Sequence, residues 1–514
     1  MTSPSRLAAV VVLVFLAFAL FWPLELVIGR GLGYGLGAVL ADPYLRGRLG
    51  WSLAFGAGSS LLVVLLSVPL VYLLRWRFPG RDALVALSMV PFVLPTLVVA
   101  TGLLAWAGPR GLLGVDLSGT PWILYWGSVL YNLGMTLRLV LGVLGGNGRL
   151  VEAARTLGAG SWRSFWRVEL PLAAGALAAG AGLTFVYSFS SFGLPLILGG
   201  PRYATLEVEV YRALLQRLAF GEAAALILLQ TGVLALVSLG YLYAQRRLAV
   251  RAAAPAPPPR LGGARGWLAF ALVAGFFALL YAPLWALVLK SFWGPEGFSL
   301  AGWAALGRAQ ASYFVPSAPL AVYNTLRFTL LALLVTAPLG FAYAYGVWKG
   351  ARGLDLLGFL PLLVSPVSLA VGYLLAYPGL RASLVLLVTA YALIAYPLFA
   401  RTVLAAMRRL PANLAEAART LGAGPWRVLW RVELPLLRPA LGAAAALAAA
   451  VTIGEFGATL VLARPEWATL TVAIYERLGK PGIVNYQEAM ALSVVLGLLA
   501  GGIFWGLGRG GEVG

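Results

Sequence analysis

The chain has 514 residues, of which 61% are hydrophobic and 11% are charged, and its formal net charge is +20. This composition excludes an ordinary soluble domain and predicts a polytopic membrane protein. Cysteine and histidine are absent, which removes disulfides, thiolate chemistry and the commonest general base and metal ligand.

Twelve apolar stretches are long enough to cross a bilayer as helices, which takes about 20 residues each. Six of them precede a basic, proline-rich segment at 245–266, and six follow it. We therefore predict an all-α fold of two six-helix halves, 1–244 and 267–514, joined by that segment as a cytoplasmic linker. The stretches lie at 7–28, 53–74, 83–107, 121–144, 171–199, 222–244, 267–289, 325–348, 354–378, 383–405, 436–463 and 489–508.

The distribution of charge predicts the orientation of the chain. The first stretch lacks a clear small-x-small cleavage site and is expected to remain as a helix, which places both termini in the cytoplasm. The loops that this topology assigns to the cytoplasm, with the neighbouring helix ends, hold 24 of the 38 Lys and Arg residues. This agrees with the positive-inside rule. The basicity therefore indicates topology and anionic lipid, and nucleic-acid binding has no support beyond it.

Proline pairs interrupt the third stretch of each half. Pro91 and Pro95 occur in the first half, and Pro361 and Pro366 in the second. Proline removes a backbone donor and crowds the preceding turn, so we expect both helices to be kinked.

A near-identical sequence follows the fourth stretch of each half. Residues 152–172 read EAARTLGAGSWRSFWRVELPL and residues 416–436 read EAARTLGAGPWRVLWRVELPL, so that three of 21 positions differ at an offset of 264. Both copies are expected on the cytoplasmic side. Because each half has an even number of spans, the halves are parallel, which predicts a pseudo-two-fold axis along the membrane normal with a cargo path between the halves.

Each copy predicts a short amphipathic helix. After a glycine-rich break, Ser161 is expected to cap the helix in the first copy, and Pro425 takes this position in the second. Pro171 and Pro435 are expected to end the two helices. Trp162, Phe165 and Trp166 are spaced to share one face. Such a helix fits the chain's own spans, lipid headgroups or a groove of another protein. Lipid tolerates many sequences, so the near-identity of the copies favours two equivalent grooves.

The repeat resembles the EAA loop of ABC-importer permeases, in which E-A-A is followed by a glycine and then by a hydrophobic residue two before Leu-Pro. Leu157 and Leu421 depart from the pattern, since many relatives carry Asp there. Two copies in one chain resemble the fused permeases of the iron(III) and thiamine import type. The matching residues are Glu152, Ala153, Ala154, Gly158, Val168, Leu170 and Pro171, and Glu416, Ala417, Ala418, Gly422, Val432, Leu434 and Pro435.

The resemblance implies a permease of a prokaryotic inner membrane. It implies that each loop is a coupling helix held in a cleft of an ATPase subunit, so that two ATPase copies bind the chain, while a solute-binding protein delivers thiamine or iron(III) outside. It also implies that ATP is bound by the partner and that this chain binds no cofactor. The residues expected at the ATPase are the two E-A-A triplets and Gly158 and Gly422, with Trp162, Arg163, Trp166, Trp426, Arg427 and Trp430.

Candidate path residues come from polar and matching positions inside the fifth span of each half. Glu455 pairs with Ser191 at the repeat offset, and Phe456 pairs with Phe192. A carboxylate inside a span is a functional candidate by default. The alternative is that Glu455 lies at the outer end of its helix, where water satisfies it.

The sequence does not favour an enzyme. The Gly479-Lys480 pair is followed by proline, so a phosphate-binding loop is missing. A twelve-helix secondary transporter driven by an ion gradient is the alternative function. It leaves the duplicated loops unexplained, and it needs ionisable groups at mid-membrane, of which Glu455 is the main candidate.

Overall fold

The computed structural model of the chain describes residues 3–145, 148–248, 258–294, 297–307, 316–351, 353–358, 360–381 and 383–508. Residues 249–257 of the predicted linker lie outside these ranges. Within them the fold is almost entirely helical, as predicted, with one short hairpin formed by β1 (Trp293–Gly294) and β2 (Gly297–Phe298). Nine helices among the described residues are long and apolar enough to cross a membrane, and two bent pairs raise the number to eleven.

The first half supplies six spans, each one helix or a broken pair. They are α1 (Ser5–Tyr34), α2 (Pro43–Leu74), α3 (Arg81–Val93 and Thr96–Ala107), α4 (Pro121–Gly145), α5 (Ser161–Leu172 and Ala174–Phe189) and α6 (Phe220–Leu248). Shorter helices between them are Leu36–Ala41, Gly148–Thr156, Gly193–Leu198 and Leu206–Leu215.

The second half repeats this order. Its elements are α7 (Gly263–Leu280 and Ala282–Ser291), α8 (Ala318–Trp348), α9 (Pro366–Ala376), α10 (Leu384–Met407), α11 (Pro425–Ile453) and α12 (Ile483–Gly508). The shorter helices are Ala301–Ala305, Leu354–Leu357, Leu360–Leu363, Pro378–Leu380, Ala412–Thr420, Gly457–Leu462, Pro465–Trp467 and Leu470–Leu478. Since α6 runs to Leu248 and α7 begins at Gly263, helix extends into both ends of the segment predicted as linker.

The third span of each half is broken where the paired prolines predicted a kink. The two parts of α3 meet at 103° across Leu94 and Pro95. In the second half, short helices precede α9, which begins at Pro366. The stretch 354–378 is therefore not one continuous span, because proline at a helix start is tolerated while proline in a helix interior is not.

The first helix of each half packs on the other half. Gly102 of α3 lies against Pro283 of α7, where a Cβ atom would sit 2.9 Å from the Pro283 carbonyl oxygen. Gly372 of α9 lies against Pro23 of α1, where a Cβ atom would sit 3.1 Å from the proline side chain. The same glycine–proline contact therefore occurs twice. The pseudo-two-fold rotation that relates the halves carries one contact onto the other.

Both repeat loops lie at one end of the helix bundle. The first loop contacts Arg75, which follows the last residue of α2. The second loop contacts the start of α1 through the short helical turn Pro425–Val428. Since α1 and α2 are consecutive spans, the start of α1 and the end of α2 share a side. Helices Leu206–Leu215 and Leu470–Leu478 lie at the opposite end.

We predict that Gly102→Ala destabilises the protein, because the added methyl group meets a backbone carbonyl that cannot rotate away. Overpacking of this kind costs about 1–3 kcal/mol and should lower the apparent unfolding temperature of the detergent-solubilised protein by several degrees. Gly275→Ala in α7 is the matched control, since a Cβ atom there meets nothing within 4 Å and alanine favours helix. If Gly102→Ala unfolds no earlier than Gly275→Ala, the close contact between the halves is wrong.

Candidate functional site

The two repeat loops fold alike at the glycines that interrupt them. After helices Gly148–Thr156 and Ala412–Thr420, Gly158 has φ of 82° and Gly422 has φ of 80°. This left-handed backbone disfavours any residue with a Cβ atom. A new helix follows at Ser161 and Pro425, with Gly160 and Gly424 as the N-caps. Ser161 is therefore the first residue of the helix and not its N-cap. Pro425 is likewise the first residue of the helix in the second copy.

The prediction that a proline ends the short helix holds in the first copy and is wrong in the second. The first helix ends at Leu172, one residue after Pro171, and the next part of α5 is bent by 61° from it. Residues Pro425–Ile453, in contrast, form one continuous span although Pro435 lies within it. A five-residue π-helical turn comes directly before the Leu-Pro pair in both copies, at Phe165–Glu169 and Leu429–Glu433, and such a wider turn relieves the clash between a proline ring and the preceding carbonyl groups.

In the first loop the aromatic residues lie together: the ring centroid of Trp166 is 5.5 Å from that of Trp162 and 5.7 Å from that of Phe165. They differ in exposure. Trp162 and Trp166 are 62% and 43% exposed, and Trp426 and Trp430 are 45% and 61% exposed, whereas Phe165 and its counterpart Leu429 are 1% and 5% exposed. The expected ATPase-contact residues exposed in both copies are Glu152, Ala153, Gly158, Trp162, Arg163 and Trp166, with Glu416, Ala417, Gly422, Trp426, Arg427 and Trp430, while Ala154 and Ala418 are half-buried.

A buried ion pair ties each loop to the bundle, and the sequence analysis did not find it. Glu169 pairs with Arg75 at the end of α2, and Glu433 pairs with Lys349 at the end of α8, where the Nζ–Oε1 distance is 2.7 Å. Both carboxylates are buried. The available signal was a glutamate kept in both copies inside an otherwise apolar stretch, together with a basic residue at the end of each second span.

Arg75 makes further contacts with the first loop. Its Nη2 donates to the Ser161 hydroxyl at 2.7 Å and to the Ser161 carbonyl at 3.0 Å. Its guanidinium also lies 4.5 Å from the ring centroid of Tyr72 and 5.0 Å from that of Phe165. Arginine can hold a carboxylate, a hydroxyl and a ring at once because it presents five donors on a flat group.

The predicted path residues Phe192 and Phe456 meet at the centre of the protein. Their ring centroids are 5.5 Å apart, and each ring also lies 5.5 Å from a tyrosine, Tyr211 and Tyr475 respectively. The two tyrosine hydroxyls share a hydrogen bond. A contact between residues that the pseudo-two-fold exchanges must lie on the axis. These four side chains therefore lie together on the axis between the halves, and they are named the aromatic gate for the role proposed below.

Glu455 is buried and satisfied by backbone donors. Its carboxylate accepts from the backbone N–H of Ala458 at 3.2 Å and of Thr459 at 3.1 Å, and from the Thr459 hydroxyl at 3.1 Å. It therefore caps helix Gly457–Leu462 directly beside the gate residue Phe456. Its counterpart Ser191 is half-buried, and its carbonyl accepts from the Thr205 hydroxyl at 2.8 Å.

A second buried carboxylate joins the halves next to the gate. Glu207, in helix Leu206–Leu215, accepts hydrogen bonds from the Gln230 side chain and from the hydroxyl of Ser365, which belongs to the other half. Backbone N–H groups of Val367 and Ser368 also point to it. Burial raises the pKa of Glu207 to about 7, although the hydrogen bonds from these donors act to lower that pKa. Among the described residues no cluster of three or more metal-ligating side chains occurs.

Comparison with known proteins agrees with this arrangement. The family described as "Binding-protein-dependent transport system inner membrane component" matches the chain twice, at residues 71–250 and 264–506. The thiamine transport system permease protein of Escherichia coli is 28% identical over 501 residues, covering 90% of this chain and 88% of the relative. The protein of the same name from Salmonella typhimurium is 29% identical over 484 residues, covering 86% of this chain and 85% of the relative.

A shorter relative matches one half of the chain. The putative 2-aminoethylphosphonate transport system permease protein of Salmonella typhimurium is 29% identical over 260 residues, covering 46% of this chain but 90% of the relative. The relatives are transport permeases and not enzymes, which confirms the resemblance found in the sequence and sets aside the secondary transporter. With two matches that together span most of its length, the chain belongs to the binding-protein-dependent transport system inner membrane component family, the membrane permeases of ABC importers.

Proposed function

We propose that each repeat loop binds one ATPase subunit, so that two copies dock on one permease chain. The observation that carries this proposal is the pair of loops with equal backbone geometry at their glycines and with both tryptophans of each copy exposed. Exposed tryptophan beside arginine is typical of residues that dominate protein–protein binding. Two near-identical surfaces, 18 of whose 21 residues match, suit two copies of one partner. ATP is then bound by that partner, and this chain supplies no cofactor site.

Each loop is the start of the helix that leads to the gate. The span α5 begins at Ser161 and ends three residues before Phe192, and α11 begins at Pro425 and ends three residues before Phe456. The continuous span α11 has 29 residues and is about 40 Å long, which is enough to connect the two ends of the bundle, whereas α5 covers the same residues of its half with a 61° bend after Leu172. Closure of the ATPase dimer would move both loops, and the buried ion pairs would pass this motion to α2 and α8.

The orientation follows from the loops. With both loops in the cytoplasm, both termini are also cytoplasmic, and the aromatic gate and helices Leu206–Leu215 and Leu470–Leu478 lie toward the outer side. A solute-binding protein would deliver cargo there. The repeat then divides the chain at 1–244, 245–266 and 267–514, as the sequence predicts.

Thiamine is the cargo that the gate chemistry and the names of the two full-length relatives favour. A positively charged aromatic ring is attracted to the faces of phenylalanine and tyrosine, and the aromatic gate presents four such rings. Iron(III), the other cargo implied by the sequence resemblance, prefers oxygen and nitrogen ligands, and the described residues offer no cluster for it. The anionic 2-aminoethylphosphonate named for the shorter relative has no comparable partner at the gate.

Docking is tested by changing the left-handed glycines in both loops. Alanine at φ near 80° costs about 1–2 kcal/mol at each site, so Gly158→Ala with Gly422→Ala should distort both loops and reduce co-purification of the ATPase severalfold or more. Gly160→Ala with Gly424→Ala is the matched control, because these residues have φ of −64° and −66° and a Cβ atom meets nothing within 4 Å. Equal ATPase recovery from the two double variants would refute docking at the loops.

The gate is tested by removing its central contact in this cysteine-free chain. With Ser191→Cys as the single thiol, a membrane-impermeant maleimide added from outside should react slowly without ATP. Phe192→Ala with Phe456→Ala should raise that rate about tenfold or more, because the ring contact on the axis is lost. Phe185→Ala is the control. It removes the stacked contact of Phe185 with Phe189, whose ring centroids are also 5.5 Å apart, and it should leave the labelling rate unchanged. A gate variant that labels no faster than this control contradicts the gate.

Cargo and energy source are tested together in proteoliposomes with the ATPase and the solute-binding protein. We expect ATP-dependent accumulation of thiamine, and none of iron(III) or 2-aminoethylphosphonate. Omitting the ATPase should abolish uptake, whereas collapsing the proton gradient should not. Uptake of another of these solutes would overturn only the cargo assignment, whereas thiamine uptake that follows the proton gradient without ATPase would overturn the importer mechanism.

A further inference from the structure

A basic cleft lies at the loop end of the bundle, between the first half and the segment that leads into α7. It has a volume of about 490 Å³ and is enclosed by the turn that joins α2 to α3, residues 77–83, and by residues 260–262, which lead into α7. Its size is within the range of small-molecule sites. Three arginines, Arg77, Arg81 and Arg260, line it against the single acidic residue Asp82.

Backbone hydrogen bonds fix the two walls of the cleft. The N–H of Arg77 donates to the Pro259 carbonyl at 2.8 Å, and the N–H of Leu261 donates to the Arg77 carbonyl at 2.9 Å. These bonds make Arg77 and Arg260 partners in a parallel bridge. Residues paired across a bridge carry their side chains on the same face, so two exposed guanidinium groups stand side by side.

Arg81 holds the floor of the cleft. Its Nε donates to the Leu74 carbonyl at 2.6 Å and its Nη1 to the Asp82 carboxylate at 2.7 Å. Asp82 is thereby paired and mostly exposed to solvent. The excess positive charge of the cleft therefore comes from Arg77 and Arg260, which face an opening that suits an anion with several acceptor oxygens.

The cleft lies at the depth of lipid headgroups. It is bounded by the end of α2, the start of α3 and the start of α7, three span ends at one membrane face. Trp267 and Leu268, in the first turns of α7, are 61% and 60% exposed. Tryptophan is enriched at the membrane interface, and exposed leucine suits acyl chains.

We propose that this cleft binds a phosphate group of an anionic phospholipid headgroup, held between Arg77 and Arg260. Basic pockets between span ends on the cytoplasmic side are suited to such headgroups. Because residues 259–261 form one wall, the site ties the chain between the halves to the first half. Arg75, which anchors the first loop, is two residues from Arg77, so a bound headgroup would also stiffen that anchor. The proposal requires neither the cargo nor the ATPase docking proposed above.

The test is lipid binding to the full chain in neutral detergent, followed by native mass spectrometry. Phosphatidylglycerol should bind more tightly than phosphatidylcholine, and Arg77→Gln with Arg260→Gln should weaken that binding roughly 25-fold, at about a factor of five for each arginine. Both substitutions leave the bridge intact, since the bridge uses backbone atoms only. Arg408→Gln with Arg409→Gln removes the same charge from exposed residues at the end of α10 and should change binding less than threefold.

Three results would overturn the proposal. One is phosphatidylglycerol binding that is unchanged in the Arg77 and Arg260 double variant, and another is an equal loss in the Arg408 and Arg409 control. The third separates the two sources of phosphate. If millimolar inorganic phosphate displaces phosphatidylglycerol from the native chain and binds with the same dependence on Arg77 and Arg260, the site serves a free anion and not a lipid.

Discussion

One buried carboxylate connects each exposed loop to the rest of the protein. It lies in the first turns of α5 in one half and of α11 in the other. Glu169 and Glu433 are each held by the basic residue that follows the second span of their half. Removing one partner of a buried ion pair leaves an uncompensated charge, at a cost of about 3–5 kcal/mol. A force applied to either loop is therefore transmitted to two spans at once, α5 with α2 or α11 with α8. The two anchors differ in strength, because Arg75 also bonds Ser161 whereas Lys349 offers a compact ammonium group.

The gate at the other end of these helices is weak enough to open. Of the three ring contacts, the one between Phe192 and Phe456 joins the two halves and contributes about 0.5–1.5 kcal/mol. With one hydrogen bond of about 1 kcal/mol between the tyrosines, the proposed closed state would be favoured without being locked. A partner that binds the open state more tightly than the closed state, by more than the free energy that holds the gate closed, would make the open state the more populated one. Since Phe192 and Phe456 follow α5 and α11 directly, the gate and the loops are the two ends of the same pair of helices. The first helices, α1 and α7, each pack on the other half through a close glycine–proline contact, so the halves also remain in contact away from the gate.

Sequence reasoning found what repeats and what is periodic. The 264-residue offset located both loops, the shared glycines and the phenylalanine pair, and apolar length located most spans. It failed where a contact joins distant parts of the chain. Helical spacing placed Phe165 beside the tryptophans, but it did not show that Phe165 is buried while they are exposed, nor that α11 passes Pro435 without a break. Nothing in local periodicity pairs Arg75 with Glu169, because those residues are 94 positions apart and meet only through tertiary packing.

The two-fold relation is kept more closely at the loops than along the path. Eighteen of 21 loop positions are identical, yet beside the gate Glu455 faces Ser191 across the axis, and Glu207 has Thr471 as its counterpart at the same offset. Both carboxylates are buried, and Glu207 reaches across to Ser365 of the other half. Under the proposed docking, two copies of one partner would impose the same chemistry on both loops, whereas a small cargo has no symmetry of its own. Divergence beside the gate with near-identity at the loops is what a fused chain permits, since its halves can mutate separately while both loops keep the surface proposed to bind one kind of ATPase.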